Sequence, residues 1–178
     1  MDPLASVEDL RRLTGTSWPD ELAALTALRA ASSTVRAYCG WSISAVDHEE
    51  VTLDGLGGRV LTVPCLHLTA VHEVVDVSAD DDWPITDYRW SGMGALYRAA
   101  GWPRGFRTVQ VTYSGGYEVA PPEVAAVVCG LAGRASIPAG VASMTVGSQT
   151  VTWAGTNGPT MNQSEERVLD RYRIVAAS

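Results

Sequence analysis

Cys65, His67 and His72 are the residues whose types and spacing could first be asked to do chemistry. Cys65 and His67 stand two apart, so an extended chain puts both on one face of a strand, and with His72 they could offer three ligands to zinc. No fourth ligand stands at a usual spacing. Surface or half-buried strand histidines, His48 among them, are therefore the expectation, and no metal centre is predicted. Asp80, Asp81 and Asp82 could bind calcium, but the segment lacks the glycine and distal glutamate of an EF-hand loop and reads as a solvated acidic turn. Gly55-Leu56-Gly57-Gly58 falls in a predicted hairpin, not between a strand and a helix, which disqualifies it as a dinucleotide loop. No G-x-S-x-G or H-E-x-x-H occurs, and the carboxylates show no paired spacing for acid–base work. The sequence thus predicts no catalytic residue, no cofactor and no enzyme. Cys39, Cys65 and Cys129 form no C-x-x-C pair and are expected to be buried, reduced thiols.

The residues that remain are suited to contact. Of six tryptophans, Trp102 and Trp153 stand beside predicted turns, where half-exposed rings serve either as interface anchors or as packing under a loop. Arg167, Arg171, Tyr172 and Arg173 crowd the end of a short C-terminal helix. They could meet an acidic partner or stay solvated.

At 178 residues the chain is long enough for one domain with its own core, and 46% hydrophobic content is ordinary for a globular protein. No apolar run approaches the roughly 18 residues of a bilayer span, and the N-terminus carries no leader-like pattern, so no membrane association is expected. All 13 basic residues are arginine, and the net charge is −7. Phosphate neutralisation needs clustered cations, so the charge argues against a general nucleic-acid binder, while it suits a surface past which DNA must slide without sticking.

Ser6, followed by Glu8 and Asp9, caps a helix over 7–13 that stops at Gly15. Ser17 is placed to cap a second helix, with Leu22, Leu25, Leu28, Ser32, Val35 and Cys39 as its buried stripe. From residue 43 to 117 the period becomes two, with turns at 54–58, 79–82 and 91–94, which predicts five or six short antiparallel strands. Pro121 and Pro122 open a third helix whose buried face is Val124, Val127, Val128, Leu131 and Ala135, with Gly130 and Gly133 admitting another backbone. Alternation over 143–154 predicts a hairpin arm, and Ser164 caps the final helix. The fold class is α+β: a bundle of three to four helices (1–41 and 119–178) carrying an antiparallel β insertion (43–118).

Four pieces, in this order and spacing, carry a resemblance: RAYCGW at 36–41, the Trp102-Pro103-Arg104-Gly105 turn, the V-x-V-x-Y-x-x-G-Y run from Val109 to Tyr117, and the Pro-led helix. Together they resemble the head-tail connector (adaptor) proteins of tailed bacteriophages. The resemblance implies a structural virion protein at the head–tail interface, assembled in the host cytoplasm. It would form a homo-oligomeric ring, of about twelve copies in that family, that docks on the portal protein, extends the channel for double-stranded DNA and receives the head-closure or tail protein. It implies that the matched motifs support the fold. It also puts the portal-reaching segment at 165–173, so that deleting 163–178 should abolish docking and leave the β region folded. An acidic lumen, with Asp80 to Asp82 contributing, would follow. The alternative from another class is a monomeric, aromatic-rich β module that binds carbohydrate or protein.

Overall fold

Ser6 begins the chain's first helix as the spacing requires. In the computed structural model, which describes residues 1–15, 18–78, 82–135, 143–146, 149–152 and 160–174, its side chain accepts from the Asp9 amide and the Asp9 carboxylate accepts from the Ser6 amide. This reciprocal box opens α1 (Val7–Thr14), and Gly15, in the left-handed region, closes it. The second helix, α2 (Glu21–Cys39), has Asp20 before its first turn, whose carboxylate takes the Ala23 amide at 2.6 Å; Ser17, the expected cap, lies outside the described residues. Its stripe also turns away from expectation at one end: Ala24, Leu28, Ala31, Ser32, Val35 and Cys39 are buried, while Leu22 lies in solvent.

The third helix, α3 (Pro122–Ala135), buries Val124, Val127, Val128 and Leu131 as predicted, with Cys129 and Ala132 added and Ala135 exposed. Gly130 and Gly133 face side chains and not a backbone: Glu165 lies over the first and Thr14 over the second. The last helix, α4 (Gln163–Leu169), is capped by Asn162 and not by Ser164. It continues as a single 3-10 turn, Asp170–Tyr172, shorter than the eleven-residue helix the pattern suggests. Residues 1–39 and 120–173 form one compact unit, cored by Leu10, Leu28, Val35, Val128, Leu131 and Leu169. The expected hairpin arm pairs Ser143–Val146 with Gln149–Thr152, Met144 opposite Val151.

Residues 40–119 form a second unit built of β-strands. Its main sheet consists of β1 (Val46–Leu56), β3 (Leu68–Asp76), β4 (Trp83–Pro84) and β7 (Arg104–Gly115) in the antiparallel order β1-β7-β3-β4. The strand that carries the V-x-V-x-Y run, β7, is thus central, hydrogen-bonded on both edges, with Val109, Val111 and Tyr113 buried. The smaller sheet is β2 (Val60–Thr62), β6 (Ala95–Arg98) and β5 (Tyr88–Trp90) in the order β2-β6-β5. The turn at 91–94 joins β5 to β6 as predicted. The turn at 54–58 is no hairpin, because β1 pairs with β7 and β2 with β6. The glycines there carry the chain from one sheet to the other. A Cβ on Gly94, which has φ +79°, would run into the Cys65 carbonyl.

The last residue of the RAYCGW motif and the last of the V-x-V-x-Y-x-x-G-Y run meet inside this unit. Trp41 is buried and its ring centroid lies 6.2 Å from that of Tyr117, which stacks on His67 at 4.3 Å. Tyr117 also exchanges backbone hydrogen bonds with Ile43 and Ala45, closing the strand end against the segment that precedes β1.

Candidate assembly surface

Trp102, one of the six expected contact residues, packs into the protein's own core. It is 4% exposed, its Nε1 donates to the Arg59 carbonyl at 3.2 Å, and its ring lies 6.3 Å from that of Tyr88. Trp153 lies outside the described residues, as do Asp80 and Asp81. Among the described residues, Trp83 and Trp90 are the exposed tryptophans, on β4 and β5. Trp90 borders an open groove of about 460 Å³ with His72, Pro84, Ile85 and Tyr88.

The C-terminal cluster divides. Tyr172 donates to the Glu123 carboxylate at 2.5 Å, and the Arg173 guanidinium sits 5.0 Å from the centre of the Tyr38 ring. Tyr38 in turn donates to Asp170 at 2.7 Å. Both Tyr172 and Arg173 thereby hold the last turn on α2 and α3. Glu123 responds as an acceptor should: the Tyr172 hydrogen bond, with Arg171 nearby, holds its carboxyl below the usual range. Arg167 and Arg171 are exposed.

The surface that sequence reasoning missed is at the far end of β1 and β7. Leu53 faces Val109 and Gly55 faces Gly105, so β7 spends four residues where β1 spends two. Phe106, Arg107 and Thr108 together stand opposite Asp54 alone, and this segment with its two surplus residues bulges from the sheet. Asp54 accepts the Arg107 amide at 2.7 Å, the Gly55 amide donates to Thr108 Oγ1 at 3.1 Å, and Arg107 adopts φ 53°. The bulge turns Phe106 out of the sheet at 90% exposure, beside Leu56 at 82%. Alternation alone assigns Phe106 to a strand face; the bulge, a register event between partners far apart in sequence, is what aims it outward.

The chemistry weighed from sequence is dispersed. Cys65 is buried, and desolvation pushes its thiol up. His67 Nδ1 donates to the Gly116 carbonyl at 2.9 Å. His72 stands elsewhere, so the zinc trio does not come together: among the described residues the one group of three or more such ligands within reach of a single ion is Asp47, His48 and His72. Ser114 lies among them, but its hydroxyl bonds Asp47 directly, and the carboxylate does not orient His72 as a hydrolytic triad requires. No helix is long and apolar enough to cross a membrane among the described residues.

Three solved structures share the architecture. A chain in the neck of an empty gene transfer agent particle, computed with C6 symmetry, matches with a TM-score of 0.63 at 18% identity. The match covers 97% of this chain and 90% of that one. This fold occurs in the necks of gene transfer agent particles. A chain in the virion of the native particle gives 0.60 at 17% identity, and one in the native neck computed with C12 symmetry gives 0.58 at 14%, with the same coverage. No family model and no curated protein matches the sequence. The likeness spans both the helical and the β unit, so it belongs to the whole chain and not to a β module alone.

Proposed function

We propose that this protein is a structural component of the neck of a phage-like particle, a head-to-tail adaptor whose copies form a ring. The observation that carries the reading is the fold shared over 97% of the chain with neck chains set in sixfold and twelvefold symmetric assemblies. In this reading the ring, of about twelve copies, docks on the portal protein, continues the DNA channel and receives the head-closure or tail protein. It acts by assembly and not by catalysis, in the virion after assembly in the host cytoplasm. A net charge of −7 suits a channel wall, since it offers DNA nothing to bind.

The apolar tip supports the same reading. Phe106 and Leu56 place two large side chains in water on a bulge held by Asp54 and Thr108, and rigidly presented apolar groups of this kind mark contact surfaces. Head-to-tail rings need two unlike faces per subunit, and the tip is one candidate. The deciding experiment is native mass spectrometry of the chain alone and mixed with the portal protein of the same particle. A ring near twelve copies, formed alone or only with portal, is the expected outcome. A monomer indifferent to portal would overturn the proposal and send the groove beside Trp90 to a glycan and protein binding screen.

A further inference from the structure

Both neighbours of β7 bulge at one level. On β1 the register jumps from Val46 opposite Gly115 to Glu49 opposite Tyr113, so Asp47 and His48 together face the single residue Ser114. On β3 it jumps from Val71 opposite Tyr113 to Glu73 opposite Thr112, which frees His72 from the ladder. His48 takes φ 51°, a conformation rare for a residue with a side chain. Two bulges and one strained residue thus converge on Ser114, and the outcome is that two imidazoles from different strands stack at 3.9 Å, 11° from parallel. Asp47 Oδ1 sits 3.0 Å from His48 Nδ1.

We propose that Asp47, His48 and His72 form a binding site for a borderline divalent transition-metal ion of the zinc class. The ligand atoms already lie within 4.8 Å of one another. Bonds of about 2.0–2.1 Å in tetrahedral geometry set ligand atoms about 3.3 Å apart with the ion in the plane of each imidazole, so the two stacked rings must also swing apart about their side-chain torsions to complete the site, which their exposure allows. Two imidazoles and one carboxylate suit zinc, nickel or copper over calcium or magnesium, which prefer oxygen alone. Ser114 supplies the support: its Oγ accepts from His72 Nε2 at 2.6 Å and from the His48 amide at 3.2 Å, and it donates to Asp47 Oδ1 at 2.6 Å. On binding, His72 exchanges the Ser114 hydroxyl for the ion, while Ser114 keeps its hold on the carboxylate and orients it. Three protein ligands leave one position open to water or to a group from another molecule. The site does not depend on the ring.

The test is calorimetric titration of the untagged full-length chain with zinc, paired with cobalt, whose visible absorption reports the ligand set. One equivalent should bind saturably and raise the unfolding temperature. His48→Ala and His72→Ala should each weaken binding by about tenfold or more, while Ser114→Ala, which removes only the support, should weaken it less. All three positions of the cluster are exposed, so the metal-free variants should unfold at the wild-type temperature. His67→Gln should bind as wild type. Absence of saturable binding at millimolar zinc would sink the site, as would affinity unchanged in the His48→Ala/His72→Ala chain. Loss of binding in His67→Gln with the double variant intact would move the ion to Cys65 and His67 and overturn the assignment equally.

Discussion

Gly55 shows how much a single position can decide. It stands at the register change of β1, and a Cβ there would run into the carbonyl oxygen of Pro103, a backbone atom, and against Thr108 Oγ1, a buried hydroxyl already bonded to the Gly55 amide. Gly55→Ala should therefore cost about 2 kcal/mol or more, read as a drop in the urea midpoint; a cost under a few tenths would refute the close approach. The buried thiols make a second prediction. Burial pushes Cys39 and Cys129 from 9.0 up to about 11, since the neutral form alone suits an apolar site. The folded state then holds these protons more tightly than the unfolded chain does. Their contribution is full below pH 9 and is lost as the pH climbs through about 11, with Tyr113, raised by desolvation and by Glu49, adding to the loss. Urea midpoints across that window should fall for the native chain and fall less for Cys39→Ala/Cys129→Ala, though the variant starts lower because cavities cost stability. Equal slopes would exclude the thiols as the cause.

The helix α4 is held more firmly than its seven residues suggest. Isolated, it would not persist in water. Arg134 on α3 donates twice to Glu165, at 2.8 and 2.9 Å, and Glu165, only 13% exposed in its side chain, also accepts the Asn162 amide as the acid of a capping box. Leu169 is fully buried beyond it. Glu165→Ala breaks the cap and leaves Arg134 half-buried without its partner, which should cost about 1–3 kcal/mol in chemical denaturation. A double-mutant cycle with Arg134→Met measures the coupling, and a value near zero would mean the pair is merely adjacent. The same packing changes what a deletion means. Removing 163–178 takes a core leucine from the helical unit, so loss of portal docking in a truncated chain would not isolate a docking contact. Arg167→Glu with Arg171→Glu, both at exposed positions, is the sharper variant: portal binding should weaken strongly at unchanged unfolding temperature.

For assembly, the tip of β1 and β7 is where the protein is most open to change. Phe106 and Leu56 contribute little to the monomer's own burial, so Phe106→Ser/Leu56→Ser should leave the unfolding temperature within a degree or two of native. Ring formation, followed by native mass spectrometry or analytical ultracentrifugation, should weaken by about tenfold or more if the side chains are anchors in a desolvated contact. Rings of native abundance from this variant would take the tip out of the interface.

The sequence by itself determined what depends on neighbours a few residues away. The Ser6 cap, the Gly15 stop, the apolar face of α3 and the β5–β6 turn were legible because caps, periodicity and turn chemistry are local. So was the central strand around Val109, Val111 and Tyr113, whose alternation reflects one buried face. The tertiary structure alone decided which strands pair. Asp54 to Gly58 reads as a hairpin because glycines favour turns, yet the partners of β1 and β2 lie far downstream, in β7 and β6. That pairing fixes the bulges, and the bulges fix both the outward Phe106 and the meeting of Asp47, His48 and His72. No spacing along the chain reveals a cluster assembled from two strands over a third, because a one-residue register step moves a side chain to the opposite face without altering the local pattern.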